Sequence, residues 1–243
     1  MLVIKANHDR GVELEGVQGL VPRPVDIDQN LTGFETLRTL RIYHFSAPQV
    51  IVGHAEKDEV YVVVLAGSVE LNVRSEQWSS NATPFVLTAA NDRSCAACAA
   101  YLPPHAEYTL TSLSDADIAY ARARPAASRA PAVFAAAPRM DDDGVCVLLD
   151  ESKHAERLRI RLLRVSARLG SDALLPILQS GPSGEALIHV RTTPAHDAVR
   201  LDMPGMPAST LESWDTIAVA PGESPTLRVV AGASATSLIV AAR

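Results

Sequence analysis

The stretch Asp58-Glu59-Val60-Tyr61-Val62-Val63-Val64-Leu65-Ala66-Gly67-Ser68-Val69-Glu70-Leu71-Asn72-Val73 decides the fold class. Its first part, Val60 to Ala66, is an unbroken apolar run and reads as a strand buried on both faces. Gly67-Ser68 turns the chain, and Val69, Leu71 and Val73 then alternate with polar residues as a second strand returns. That pattern is a hairpin inside a β-sandwich or barrel. Downstream, Tyr101-Leu102-Pro103-Pro104 and His105-Ala106-Glu107-Tyr108-Thr109-Leu110 read as a strand, a proline-set turn and another strand. With Leu37 to Phe45, Val50 to Val52, Pro84 to Leu87 and Ile118 to Ala121, the first half offers about eight short strands, the layout of a small jelly roll. Before them, Val12 to Val17 and Leu20 to Val25 are punctuated by Gly, Pro and Asp and suit edge strands or an arm over a sheet.

A chain of 243 residues is long enough for one large or two ordinary domains. Hydrophobic residues make up 47% and charged residues 21%, with a formal net charge of −6, so there is no basic footprint for nucleic acid. The first residues carry no basic segment followed by an apolar core, and no run approaches the ~20 apolar residues of a membrane span. The expectation is a cytoplasmic protein with neither nucleic-acid nor membrane partners. Three cysteines are too few and too odd in number for a disulfide framework. Cys95-x-x-Cys98 lies among alanines without a second ligand pair, so these thiols read as small buried or half-buried residues.

From Arg122 to Asp143 the composition shifts to Ala, Arg, Pro and Asp, which divides the chain into 1–124, a linker at 125–143, and 144–243. Val145 to Leu149 then opens a second set of strands. Leu158 to Val165 alternates as a half-exposed strand, although Leu158, Leu162 and Val165 also fit one helical face; strand is the favoured reading. Glu185 to Val190 stands where the first acid and its strand stood, Trp214 to Gly222 answers Tyr101 to Pro104, and Leu238-Ile239-Val240 closes the sheet. The expectation is an all-β chain built by internal duplication, two jelly rolls in tandem, with a homodimer as one way to cover an open sheet.

The acid-strand-Gly-strand and Pro-Pro-strand layout resembles the cupin superfamily. Within it, the chain is similar to one bicupin family, the 5-deoxy-glucuronate isomerases of inositol catabolism and the related 5-keto-4-deoxyuronate isomerases. Thr32-Gly33-Phe34-Glu35-Thr36-Leu37, then Asp58-Glu59 with seven residues before Gly67, then Tyr101-Leu102-Pro103-Pro104-x-x-Glu107-Tyr108-Thr109 and Asp117-Ile118-Ala119-Tyr120-Ala121 follow its N-terminal half. Val145 to Leu149 with Asp150-Glu151, and Leu158 to Val165, resemble the opening of its metal-binding half. The resemblance implies an aldose–ketose isomerisation of a sugar acid, dependent on a divalent metal held in the C-terminal cupin. The implied ligands are two His in a Pro-His-x-His turn, a Glu opening the next strand, and a His after a Pro-x-Gly turn. Here the first turn reads Pro176-Ile177-Leu178-Gln179, Glu185 stands at the carboxylate position, and Ser224 follows Pro221-Gly222-Glu223. One ligand of four is kept, and one carboxylate does not hold a catalytic metal. His189 and His196 are alternates, though a strand or loop histidine is the plainer reading.

A second constellation lies in the first half. His54, Glu56 and Glu59 occupy positions where a general cupin places His-x-His and Glu, and Tyr108 with His105 stands at the fourth. A divalent transition metal held by His54, Glu56, Glu59 and His105 is therefore the alternative to having no cofactor. The plainer reading is a solvated, charged turn. Arg157, Arg159, Arg161 and Arg164 could pair with a sugar-acid carboxylate, or line the outward face of a strand. No Gly-x-Ser-x-Gly elbow, His-Glu-x-x-His or dinucleotide fingerprint occurs. The expected function is a bicupin related to sugar-acid isomerases with lost or altered metal-dependent activity, binding a small sugar acid or related molecule. The alternatives are a working isomerase with its metal in the first half, and a structural or partner-binding protein with filled barrels. The pocket candidates are His54, Glu56, Glu59, His105, Tyr108, Gln179, Glu185 and Ser224.

Overall fold

The computed structural model describes residues 1–74, 84–91, 95–125, 127, 129–140, 145–175, 184–202 and 207–242. The apolar run forms the strand Glu59–Ala66 and the alternating stretch forms Ser68–Arg74, but the two arms enter different sheets instead of pairing with each other. The intervening Gly67 has φ +73°, and a Cβ there would lie 2.0 Å from the Asp115 carbonyl oxygen, so only glycine carries the chain across this corner.

The first half is a sandwich of two antiparallel sheets. Its larger sheet has the order Ala132–Ala135, Ala97–Leu102, Glu59–Ala66, Ala116–Ala123, Leu37–Phe45, Val25–Asp28; its smaller one has the order Val50–His54, Glu107–Ser112, Ser68–Arg74, Phe85–Thr88. All eight strands expected from the sequence of this half are present. Gly11–Glu13 and Leu20–Pro22 pair as a separate hairpin, with Val21 fully buried against the sandwich.

The second half repeats the plan. Thr216–Val219, Ala186–Thr193, Ser234–Ala242, Leu158–Ser166 and Cys146–Glu151 form the middle of a seven-stranded sheet, and Ala173–Leu175, Thr226–Val229, Val199–Asp202 and Ser209–Leu211 form a four-stranded one. Leu158–Ser166 is a strand, as its alternation requires. One edge of the seven-stranded sheet is Leu2–Ile4, paired antiparallel with Thr216–Val219, so the first strand of the chain completes the sheet of the second half. Inside the Ala/Pro/Asp-rich stretch, Ala132–Ala135 pairs with Ala97–Leu102 and Arg139–Met140 with the start of Cys146–Glu151.

Three apolar cores hold these layers. Val60, Val62 and Val64 point into the first sandwich with Phe45, Leu71 and Ile118. Tyr61 and Val63, on the opposite face of the same strand, meet Leu158, Ile160, Leu162, Leu187 and Val240 of the second large sheet. The run has no polar alternation because both faces of its sheet are covered. The second sandwich is filled among its described residues by Leu163, Val165, Ile188, Val190, Ile217 and Val229. Among the described residues no helix is long and apolar enough to cross a membrane. None of the three cysteines forms a disulfide; Cys98 is buried and Cys146 half-buried, but Cys95 is exposed because it precedes the strand that buries its neighbours.

Candidate functional site

Glu59 and Glu185 each stand at the start of a central strand in a large sheet, and both reach across the interface to the other half. Glu59 is 0% exposed and accepts hydrogen bonds from the backbone N–H groups of Glu156 (2.8 Å), Arg157 (2.6 Å) and Leu158 (2.8 Å). Glu185 is 4% exposed and accepts from those of Glu35 (2.6 Å), Thr36 (3.0 Å) and Leu37 (2.9 Å). Leu37 and Leu158 begin equivalent strands of the two large sheets, so each half supplies the carboxylate that satisfies the other's strand entrance. Burial pushes the Glu59 carboxyl above its usual range, and its three backbone donors oppose that shift. Both oxygens of each carboxylate are committed to these donors, which corrects the reading of Glu59 and Glu185 as pocket residues.

The other expected positions separate as well. His54, Glu56 and His105 are exposed, with Glu56 (φ 54°) and His105 (φ 64°) in left-handed turns, while Ser224 is exposed beyond its turn. Gln179 lies outside the described residues, as do Pro176, Ile177 and Leu178. Among the described residues no group of three or more His, Cys, Asp or Glu is placed to hold a metal ion. The cluster of His54, Glu56, Glu59 and His105 does not form, because Glu59 turns to the opposite half. At the position of the resembled family's C-terminal centre, the described residues do not fit a divalent transition metal. Glu185 is engaged elsewhere, Ser224 faces solvent, and the described inward side chains are mainly apolar, with Arg159 and Arg161 among them as cations and not metal ligands.

The two alternate histidines also have other roles. His189 is 1% exposed, its Nδ1 lies 3.1 Å from Thr216 Oγ1, and its ring meets the Trp214 indole edge-on at 5.7 Å. Burial first, and the Arg191 charge second, lower its pKa to about 3, so the imidazole is neutral at ordinary pH. His196 is exposed in a loop. Arg161 and Arg159 stand opposite Ile239 and Ala241, which belong to the second sandwich's core, and Arg161 pairs with Asp150 at 2.7 Å. These two arginines therefore line the mouth of that sandwich rather than its outer face.

The described pocket with the richest chemistry lies in the first sandwich, a cavity of about 160 Å³. Its inner wall is Tyr43, Phe45, Ile51, Tyr108 and Tyr120, all buried. At its rim stand Arg41, Arg122, Val52, Gly53, His54, and Leu14 from the turn of the N-terminal hairpin. The positions follow from strand parity. Arg41 continues the inward row of Tyr43 and Phe45, and Arg122 continues that of Ile118 and Tyr120, so each strand places an arginine where its inward row reaches the barrel mouth.

The rings are arranged as a box: Tyr43 stacks on Phe45 (centroids 5.6 Å apart), meets Tyr120 edge-on (5.5 Å), and Tyr120 lies against Tyr108 (6.2 Å). Tyr120 and Arg122 stand beside the Tyr108 hydroxyl, and Arg122 Nη2 donates to the His54 carbonyl at 3.0 Å. Burial pushes the Tyr108 and Tyr120 phenols up, so both stay protonated and act as hydrogen-bond donors. Asp26 neutralises part of the rim, accepting from Arg41 Nε (3.0 Å) and pairing with Arg23 (2.8 Å) and Arg10 (3.1 Å). Among the described residues no carboxylate pairs with Arg122, which leaves it as the cation open to an incoming anion. The arrangement suits a small organic anion whose charged end meets Arg122.

Gly53 makes this wall possible. A Cβ there would lie 2.3 Å from the Tyr108 ring, so the ring rests directly on the strand backbone. Gly53→Ala is expected to cost roughly 1–3 kcal/mol of stability through overpacking, and to displace the Tyr108 ring, as seen in the midpoint of urea unfolding and in tyrosine near-ultraviolet circular dichroism.

Of these residues, Tyr108 and His54 were legible in the sequence. Arg41, Tyr43, Tyr120 and Arg122 were missed, and their signal was an arginine on the inward parity of an apolar strand.

Residues 23–143 match the model of the KduI/IolB family, a segment that contains every residue of the pocket except Leu14. No curated protein matches the chain. Among solved structures, the fold is similar to an IolB-like protein from Salmonella typhimurium LT2 at 14% identity and a TM-score of 0.73, covering 100% of this chain and 93% of that one. It is also similar to a mutant of Bacillus subtilis oxalate decarboxylase OxdC (9%, TM-score 0.68, 99% of this chain and 76% of that one). A third is the Escherichia coli pirin YhhW in complex with nickel(II) (10%, TM-score 0.61, 99% of each chain). The chain thus has an all-β cupin fold, and its residues 23–143 are similar to the KduI/IolB family.

Proposed function

We propose that this chain is a sugar-acid isomerase-like cupin in which binding of a small organic acid has moved to the N-terminal sandwich and no longer depends on a C-terminal metal. The observation that supports this most is the pocket of Arg122, Arg41 and the three tyrosines, which lies in the segment matched by the family model. In this reading Arg122 binds the carboxylate, Tyr108 and Tyr120 donate to it, and the aromatic wall holds the body of the ligand away from water. The Tyr108 and Tyr120 phenols are held protonated by burial and serve as donors rather than general bases. The activity this reading carries is recognition of the acid. The apolar fill of the second sandwich supports a structural part for that half.

Thermal unfolding in the presence of a panel of hexuronates, keto acids and aromatic acids, with a chelator throughout, tests this reading. A ligand present at 100 times its Kd contributes about 2.7 kcal/mol, and for a chain of this size that raises Tm by roughly 5–10 °C. At least one acid is expected to give such a shift in the chelator. Shifts that appear only when a divalent metal is restored would return the function to a metal centre.

A further inference from the structure

We infer that the ligand of the Arg122 pocket is a compact, planar carboxylate with an apolar ring, of the size of benzoate, rather than a polyhydroxylated sugar acid. This rests on the proposal that the N-terminal pocket is the binding site, and it narrows what that site accepts. Three observations carry it. The first is size: about 160 Å³ is close to the roughly 150 Å³ cavity known to take a single benzene ring. A ring of that size fits the cavity that Tyr43, Phe45 and Tyr120 border, with its carboxylate toward the arginines at the rim.

The second is the hydrogen-bonding inventory. A hexuronate carries several hydroxyl groups, each a donor that needs an acceptor once it leaves water. The residues lining the pocket include no Asp, Glu, Asn or Gln. The side-chain groups they offer are mainly donors: the guanidinium groups of Arg41 and Arg122 and the phenols of Tyr43, Tyr108 and Tyr120. That set answers an acceptor, which is what a carboxylate is, and offers the several hydroxyls of a sugar few acceptors.

The third is charge. Asp26 is shared by Arg10, Arg23 and Arg41, and among the described residues no carboxylate pairs with Arg122, so the rim stays cationic and answers a carboxylate rather than an uncharged ligand. The aromatic box also favours a flat ring, which can lie offset against Tyr108 or edge-on to Tyr43.

Calorimetric titration of the full chain with benzoate, methyl benzoate and glucuronate tests the inference, in wild type and in Arg122→Met and Gly53→Val, each checked for folding by far-ultraviolet circular dichroism. Benzoate is expected to bind at least 10-fold more tightly than either glucuronate or the uncharged ester. Both variants are expected to weaken benzoate at least 10-fold, the first by removing the cation and the second by filling the wall. Glucuronate binding as tightly as benzoate, and lost in Arg122→Met, would overturn the inference while leaving the pocket as the binding site. Benzoate binding that is unaltered in both folded variants, or no binding by any acid, would overturn the inference and the pocket together.

Discussion

Replacing Glu185 with Ala is expected to destabilise the chain by roughly 3–6 kcal/mol, because three backbone N–H groups at the buried interface lose their acceptor and each unsatisfied donor costs about 1–3 kcal/mol. The donors are those of Glu35, Thr36 and Leu37, at the entrance to the strand Leu37–Phe45. Glu59→Ala is expected to cost a comparable amount through Glu156, Arg157 and Leu158. Since whole domains are stable by only about 5–15 kcal/mol, the double variant is expected to be largely unfolded. Glu185→Gln recovers part of the loss: the amide oxygen still accepts, but the amide nitrogen is a donor facing donors. Urea midpoints of the single variants check this. A loss below about 1 kcal/mol in Glu185→Ala would mean that this carboxylate is not holding the two halves together, and would free it for another role.

Acidification is expected to reveal His189. Its pKa is lowered to about 3 in the folded chain, against an ordinary value of 6.5. Between those values the unfolded chain binds a proton that the folded chain does not, so stability rises with pH across this window. The contribution of a neutral His189 is therefore complete above about pH 6.5 and is lost as the pH falls toward 3. At 1.36 kcal/mol per pKa unit the full loss is on the order of 4–5 kcal/mol. The groups that face the ring are Thr216, Trp214 and the Arg191 guanidinium, none of which offers a counter-charge to an imidazolium. Carboxylates add their own acid dependence, so the informative quantity is a difference. Urea midpoints of wild type and His189→Leu at pH 7.5 and pH 4.5 are expected to diverge, the variant losing less stability on acidification. Parallel pH slopes would show that His189 is solvated or protonated in the folded chain.

Much of the fold was legible because the apolar pattern reports directly on how many faces of a strand are covered. Val60 to Ala66 lacks alternation since its even-numbered valines fill one sandwich while Tyr61 and Val63 pack on the other half. Leu158 to Val165 alternates as a strand because Leu158, Ile160 and Leu162 face the interface while Arg159 and Arg161 reach the mouth of the second sandwich. The reading erred on what joins to what. Glu59–Ala66 and Ser68–Arg74 look like the two arms of a hairpin, yet Gly67 sends them to opposite sheets, a distinction carried by long-range pairing rather than by local pattern. The same limit hid the strand Leu2–Ile4, whose partner Thr216–Val219 lies more than 200 residues away.

The site was harder to read for a related reason. Glu59 and Glu185 were found as a matched pair by their place before equivalent strands, and the structure joins them by a common role. That role is backbone capping across an interface, which depends on the three-residue segments Glu35–Leu37 and Glu156–Leu158 reaching the right point in space. Arg122 was missed because it sits in a stretch rich in Ala and Arg that reads as linker. Its meaning comes only from the pairing of Ala116–Ala123 with Glu59–Ala66 and Leu37–Phe45, which places it beside the pocket.

The binding cation and the interface carboxylate are separate residues, Arg122 and Glu185, and one measurement sets them against each other. It is the rise in Tm given by the best-binding acid, recorded in a chelator for wild type, Glu185→Gln and Arg122→Met. Glu185→Gln is expected to start from a lower Tm and to keep the full ligand-induced rise, whereas Arg122→Met is expected to keep its starting Tm within a few degrees and lose most of the rise. A rise abolished by the chelator or by Glu185→Gln, and retained in Arg122→Met, would contradict the account and place binding at a C-terminal metal centre.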